Sequence, residues 1–393
     1  MSSEAKVPLL TPFNVAAAIV LVFGAIVVAL RFINGLDYAT NLTHATTWGL
    51  WTGFKLVFVA LAASGYTLTT AVYIFGMHEY HALVRPAVLA GFLGYSCFIL
   101  ILMFDLGRPW RMPYCFIWPG TTSALFEIAL CVGLYYTTQF LELTPVGFEW
   151  LRWRRWRKVA VAAAVGMTIF GLLLSCLHQS TLGALFLTVP LKVFPLWYSP
   201  YTPLHFFISS ACGGISMVIL IGLVCKRVYG GAFALSCEKL DELTVGLGKG
   251  GAIALLVYFL VKLVDVAIAD EWYLLPTWPY GVLFLVEVLG FVLVPCLLFA
   301  YGARERRPSV IRITAGVAVF GVILNRLDIS IVAFNYELPP AERYVPSFQE
   351  YVVVVFLITL GLTIFKLVSE RFAILHDHRD YAHSHEEHSD QRA

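Results

Sequence analysis

The stretch FNVAAAIVLVFGAIVVALRFI, Phe13 to Ile33, carries one charged residue, Arg31, in 21 positions. A helix needs about 20 apolar residues to cross the hydrocarbon core of a bilayer, where every backbone N–H and C=O must be bonded within the segment. The run therefore reads as a membrane-spanning helix. Outward from it, similar runs lie at Gly49 to Gly76, Pro86 to Phe104, Gly120 to Leu141, Lys158 to Leu177, Pro203 to Cys225, Gly250 to Ala269, Pro279 to Tyr301, Ser309 to Leu327 and Phe348 to Phe372, making ten. They are continuous rather than alternating in polarity, which sets them apart from the strands of a membrane barrel.

Composition agrees. Of 393 residues, 59% are hydrophobic and 13% charged, about half the charged share of a soluble chain. A formal charge of +2 leaves no basic stripe for nucleic acid. The expected fold is all-α: a polytopic membrane domain over residues 1–374, followed by a disordered His-rich tail over 375–393. That tail holds His376, His378, His383, His385 and His388, half of the chain's ten histidines. Such a tract can capture a divalent metal, but without a fold around it a solvated tail is the simpler reading. The first span is long for a signal peptide and reads as a retained helix.

Orientation follows from the basic residues. With the span-end residues Arg31, Lys158 and Arg371 counted in the adjoining loop or terminus, 17 of the 27 Lys and Arg fall at the termini and in the even-numbered loops, 5 in the odd-numbered loops and 5 within the spans. The positive-inside rule then places both termini in the cytoplasm. The densest basic loop, LRWRRWRK (Leu151 to Lys158), suits anionic headgroups.

Ionisable residues within the spans gather on the other side. Lys55, Asp105, Glu127, His178, His205, Lys262, Asp265, Glu287, Arg326 and Asp328 all fall in the outer half, whereas the inner half holds Arg312 and Lys366 close to its boundary. Helical rise puts Lys55, Glu127, Asp265 and Glu287 roughly 8 to 12 Å deep. A charge in hydrocarbon costs at least about 2.5 kcal/mol and faces a bundle interior, paired or in use, so a polar outer cavity is expected. Lys55 needs a partner from another helix, Asp105 or Glu127. Lys262 and Asp265, three apart on one helix, can neutralise each other.

Spacing suggests an internal repeat. Asp105 is followed 22 residues later by Glu127, and Asp265 22 residues later by Glu287. Spans 2 to 5 and 6 to 9, over residues 48–178 and 203–328, read as two parallel four-helix bundles. The outer loops Gly107 to Gly120 and His178 to Pro203 are aromatic, proline-rich and poor in charge, which fits docking or membrane contact.

Eight cysteines are scattered without C-x-x-C or C-x-x-C-H, so the chain offers no ligand pattern for an iron–sulfur cluster or a c-type haem. Two other classes remain open. His178 and His205, on adjacent spans, could ligate one b-type haem. Ten helices with a repeat and buried charge also suit a secondary transporter, though its site would lie nearer the midplane.

Six strings carry a further signal: WGLWTGF (Trp48 to Phe54), RPAVLAGFLGYS (Arg85 to Ser96), FDLGRPWRMPY (Phe104 to Tyr114), SALFE (Ser123 to Glu127), LHQSTLG (Leu177 to Gly183) and VAFN (Val332 to Asn335). In order and spacing they resemble the ten-helix branch of the NrfD/PsrC polysulfide-reductase-type quinone-interacting subunits, which includes the membrane subunit of type-2 uptake hydrogenases (HybB-like) and DsrP- and HmcC-like subunits. The resemblance implies a haem-free membrane subunit that binds menaquinone or ubiquinone, menaquinone first, near the periplasmic face. It implies a periplasmic iron–sulfur partner of the four-cluster type, with a hydrogenase or multihaem cytochrome c beyond it and other membrane subunits alongside.

Carried over position by position, the resemblance makes Asp105, His178 and Glu127 candidates for proton exchange. It makes Arg108, Tyr114, Gln179 and Lys55 candidates for the pocket, with Asp265, Glu287 and Arg326 at the corresponding places of the second repeat. Lys55 stands where hydrogenase-type relatives commonly carry an acid. Quinone chemistry needs an acid–base partner and a proton path, and His178 oriented by Asp105 is the expected pair. With no ionisable wire through the inner half, protons are expected to exchange with the outer phase.

Overall fold

A computed structural model of the chain describes residues 11–375, and these build a ten-helix membrane protein. The helices are α1 (Pro12–Asn34), α2 (Leu50–Ile74), α3 (His78–Asp105), α4 (Ala124–Trp150), α5 (Arg154–Leu187), α6 (Thr202–Ala232), α7 (Cys237–Ala269), α8 (Tyr280–Arg304), α9 (Pro308–Val332) and α10 (Phe348–Arg371). The membrane end at which α3 stops is termed the Asp105 end. The opposite end, where α4 passes to α5 through Arg152, Arg154, Arg155 and Arg157, is the arginine-rich end.

Local chemistry sets several helix ends. Thr11 accepts the Asn14 N–H ahead of Pro12 at the start of α1, and Ser347 and Glu350 form a reciprocal capping box at the start of α10. Gly35, at φ 93°, stops α1. Arg31, read from sequence as a loop residue, lies in the last turn of α1 and is 3% exposed. It donates to the Phe104 and Leu106 carbonyls at 2.6 and 2.5 Å, satisfying acceptors that the end of α3 leaves free.

α2 and α6 are central. α2 packs on α3, α6 and α9, and α6 also touches α5 and α7. Of the most apolar window of α2, 67% is buried, against 17% for α1, which covers the flank with α10. The α2–α6 crossing is close because Gly214 has no side chain: a Cβ there would lie 2.9 Å from the Ala63 backbone. α2, α8 and α9 each contain a π-helical segment, at Thr70–Ile74, Val286–Leu293 and Asp328–Val332. Such segments often re-aim side chains at functional sites.

Two span ends differ from the sequence reading in a way that matters. α4 runs past Leu141 to Trp150, so Glu142 belongs to the bundle. α5 runs past Leu177 to Leu187, so His178 does not close the helix but lies nine residues inside it. Polar residues ended the apolar runs; in the fold His178, Gln179 and Thr181 turn toward other helices, buried, and the helix continues. Leu375, assigned from sequence to the tail, is buried and accepts the Ala234 N–H at 3.0 Å. The five tail histidines lie outside the described residues.

Candidate functional site

At the Asp105 end, α2 and α3 bring Lys55 Nζ to 2.5 Å from Asp105 Oδ2, with both side chains about one-sixth exposed. The Thr52 hydroxyl donates to the same carboxylate oxygen at 3.5 Å. Of the two acids open to Lys55, the fold thus selects Asp105. Glu127 lies in the first turn of α4, exposed, and accepts the Thr181 hydroxyl at 3.0 Å. It marks the rim rather than the depth expected of it, because α4 begins at Ala124. Arg108 and Tyr114 are exposed on the α3–α4 loop, where Tyr114 packs edge-on to Trp118.

Deeper in the same bundle, His178 Nδ1 and the Tyr95 hydroxyl are 2.8 Å apart, both residues fully buried. The expected His178–Asp105 pair is not formed, since Asp105 is taken by Lys55 and His178 by Tyr95. Tyr135 packs edge-on to Tyr95 with ring centres 4.6 Å apart, and the Gln139 amide donates to the Tyr135 hydroxyl at 3.1 Å. Gln179 donates to the Val59 carbonyl at 2.9 Å and ties α5 to α2. His178 Nε2 has no hydrogen-bond partner.

The second polar cluster is sealed. Glu287, 1% exposed, accepts the Trp197 indole N–H at 2.8 Å and the Asn325 amide at 2.7 Å. Arg326, wholly buried, donates to Asn325, to the Phe206 carbonyl at 3.1 Å and to Ser209 at 2.8 Å, and stacks 3.9 Å over the Phe206 ring. Asp265 accepts the Ser199 hydroxyl at 2.5 Å and lies 3.5 Å from His205 Nε2. The expected Lys262–Asp265 ion pair is therefore replaced, and Lys262 Nζ sits 5.2 Å over the Phe284 ring. The 22-residue spacing does not carry over to environment: Glu127 is exposed at a helix start, whereas Glu287 is buried inside a π segment.

Sequence reasoning missed a cavity of about 220 Å³ at the Asp105 end. It is walled by Trp48, Tyr280, Phe334, Tyr336 and Tyr344, with Asn335 and Arg343 beside the rings. Trp48 stacks on Phe334 at 4.7 Å and meets Phe186 of α5 edge-on at 5.2 Å. A bridge between Val193 and Phe334 holds the α5–α6 loop against the end of α9, with the Phe194 N–H donating to Ala333 at 2.9 Å. Burial, then Glu337, pushes the Tyr336 phenol up; burial, then the Glu350 contact, pushes Tyr344 up. Both phenols are therefore neutral at ordinary pH, and each gives its proton to a carboxylate, Tyr336 to Glu337 at 3.2 Å and Tyr344 to Glu350. The available signal was aromatic residues at several helix boundaries, but the wall comes from four separate segments that one sequence does not join.

Among the described residues, no group of three or more His, Cys, Asp or Glu is arranged to hold a metal ion.

Comparison with known proteins gives a consistent result. The family described as "Polysulphide reductase, NrfD" matches residues 39–335. A protein of Nitratidesulfovibrio vulgaris is 43% identical over 380 residues, covering 96% of this chain and 98% of its own. The probable Ni/Fe-hydrogenase 2 b-type cytochrome subunit of Escherichia coli is 31% identical, covering 85% of this chain and 86% of its own. The integral membrane subunit of menaquinone reductase from Nitratidesulfovibrio vulgaris is 25% identical, covering 84% and 83%.

Proposed function

The chain belongs to the NrfD polysulphide reductase family, and from that premise we propose that it is the quinone-reactive membrane subunit of a respiratory oxidoreductase complex. It takes the quinone ring at the Asp105 end and exchanges electrons there with a docked iron–sulfur subunit. The arginine-rich end faces the cytoplasm, which puts the quinone end on the periplasmic side.

The observation that carries this reading is the ring-walled cavity. A quinone is a flat ring with acceptor oxygens at opposite edges. The cavity offers flat aromatic faces for such a ring, and the N–H groups of Asn335 and Arg343 not already given to the Ala45, Leu338 and Tyr336 carbonyls are donors for its oxygens. Binding sites of this kind are apolar clefts with a few placed polar groups. Bound there, a quinone would supply a two-electron, two-proton couple, with menaquinone favoured by the name of one relative.

The chain's own residues handle the protons. The Lys55–Asp105 pair is partly open to water at that end, and the ammonium fixes the carboxylate in place. Tyr95 orients the His178 imidazole through Nδ1 and leaves Nε2 unpartnered. Phe186, two turns beyond His178 on α5, connects this buried pair to the cavity wall at Trp48.

The test is to purify the native complex in mild detergent, extract it for quinone and record its visible spectrum. Co-purified quinone without a haem α-band supports the proposal. A stoichiometric α-band lost in both His178→Ala and His205→Ala would replace it with a b-type cytochrome, for which His178 Nε2 and His205 Nε2, the latter 3.5 Å from Asp265, are the available ligands.

A further inference from the structure

The turn from α4 to α5 takes only Leu151, Arg152 and Trp153, and is closed by the Trp153 N–H donating to the Phe148 carbonyl at 2.9 Å. Arg152 sits in it at φ 58°, a conformation that helix ends usually give to glycine. α5 then opens with Arg154, Arg155 and Arg157 and has no acid in its first turn. That is the reverse of what a helix dipole favours at its positive end.

These four arginines wall a cavity of about 720 Å³, which Phe148, Glu149 and Lys158 complete, and a volume of this size is within the range of ligand sites. One wall is braced. Glu149, whose side chain is 5% exposed, accepts Arg85 of α3 at 3.0 Å and Arg157 at 3.1 Å. Arg85 also donates to the Ala373 carbonyl beyond α10 at 2.6 Å. Glu149 is the one carboxylate of the wall, and these two arginines occupy it. Arg152, Arg154, Arg155 and Lys158 are exposed and have no acidic partner among the described residues. Like charges crowded into seven residues repel one another, and an anion with more than one charge relieves all four.

The surroundings select a lipid over a free ion. Trp153 and Trp156, 52% and 60% exposed, stand beside the cavity, and the Phe148 ring stacks on Trp153. Such aromatics sit at headgroup level. From there Val159, Ala162, Val165, Ile169 and Leu173, all exposed, follow at spacings of three and four as one apolar stripe along α5. A phosphate in the cavity thus has a surface for acyl chains on the same helix.

We propose that the α4–α5 turn is a binding site for an anionic phospholipid with two phosphates, of the cardiolipin class. The phosphodiesters lie among Arg152, Arg154, Arg155 and Lys158, two cations to each, and the acyl chains lie along the α5 stripe. Basic pockets at helix ends on the cytoplasmic side suit such headgroups. The site is at the opposite end of the bundle from the ring-walled cavity and does not depend on the quinone reading. Because Arg157 and Arg85 share Glu149, the bound lipid rests on a wall that joins α3, α4, α5 and the segment after α10, and it should stabilise the fold.

The experiment takes the delipidated whole complex in detergent and titrates it with cardiolipin, phosphatidylglycerol, phosphatidylcholine and inorganic phosphate, reading native mass spectra and thermal unfolding. Cardiolipin should bind at least about tenfold more tightly than phosphatidylglycerol and raise the melting temperature. Phosphatidylcholine and phosphate should do neither at the same concentrations. Arg154→Gln combined with Arg155→Gln should weaken cardiolipin by about 25-fold, about fivefold for each cation. The same loss of charge in the α8–α9 turn, Arg304→Gln combined with Arg306→Gln, should leave its affinity unchanged. Arg152→Gly removes a cation but suits the positive φ; it should weaken cardiolipin about fivefold in a protein no less stable without lipid.

Wild-type affinity in the Arg154/Arg155 variant, an equal loss in the Arg304/Arg306 variant, or equal affinity for cardiolipin and phosphatidylcholine would each overturn the site. Protection by inorganic phosphate as large as that by cardiolipin would overturn the lipid assignment and leave a site for free anions.

Discussion

Lys55 and Asp105, fifty residues apart in sequence, meet at 2.5 Å across the α2–α3 contact. The pair joins the helix that leads from the cavity wall at Trp48 to the helix end that Arg31 holds. Each side chain keeps about one-sixth of its surface exposed, so screening is partial and the two charges should be energetically coupled.

A double-mutant cycle of Lys55→Ala and Asp105→Ala, read by thermal unfolding in detergent, should return a coupling of about 0.5–3 kcal/mol. Lys55→Glu should be the least stable single variant, because two carboxylates then face each other. Additive single effects would mean that the ion pair is a surface contact without structural weight.

Arg326 should be among the costliest residues to truncate. Its guanidinium is wholly buried, bonds to three groups and stacks on Phe206. Removing one member of a buried charge network costs about 3–5 kcal/mol. Arg326→Ala should lose stability on that scale, and Arg326→Lys should recover less than half, since an ammonium reproduces neither the planar fork nor the stacking. A loss below about 1 kcal/mol would contradict the bonding described here.

Tyr95→Phe removes one hydroxyl and leaves the ring packing with Tyr135 in place. Losing its bond to His178, worth about 1 kcal/mol, should slow quinone turnover by roughly fivefold to tenfold while leaving quinone affinity alone. His178→Ala should do more. Equal rates in Tyr95→Phe and wild type would make the imidazole a packing residue.

Glu271, in the turn between α7 and α8, should impose a pH dependence on stability. Burial, then Asp265, pushes its carboxyl above the ordinary 4.5. The folded chain then holds this proton more tightly than the unfolded chain. Its stabilising contribution is present below 4.5 and is lost as pH rises through the elevated folded value. Glu271→Gln should flatten that part of the stability curve and raise stability at neutral pH. An unchanged curve would place the carboxyl in open water.

Some of this was legible in sequence and some was not, for physical reasons. Ten apolar runs state the fold, because a chain this poor in charge has few other ways to satisfy its backbone. A lone Lys55 near the start of one span required an acid from a neighbour, and Asp105 was one of two within reach. The ends of α4 and α5 were misplaced because polarity along a sequence does not say which way a side chain faces. His178 and Glu142 therefore looked like boundary residues when they are interior ones. The equal spacing of Asp105–Glu127 and Asp265–Glu287 is a property of position; the helix starts and the π segment in α8 decide environment, and these differ. The aromatic cavity needs four distant segments at once, and the motif strings touched it only at Trp48, Val332, Phe334 and Asn335.

The central claim, that the ring-walled cavity takes a quinone, is tested most directly by photolabelling the native complex with an azidoquinone and mapping the adducts by mass spectrometry. The account predicts saturable labelling of the Trp48, Tyr280 and Phe334–Tyr336 segments that excess unlabelled quinone prevents. Saturable labelling confined to other helices, or labelling that excess quinone does not reduce, would contradict it.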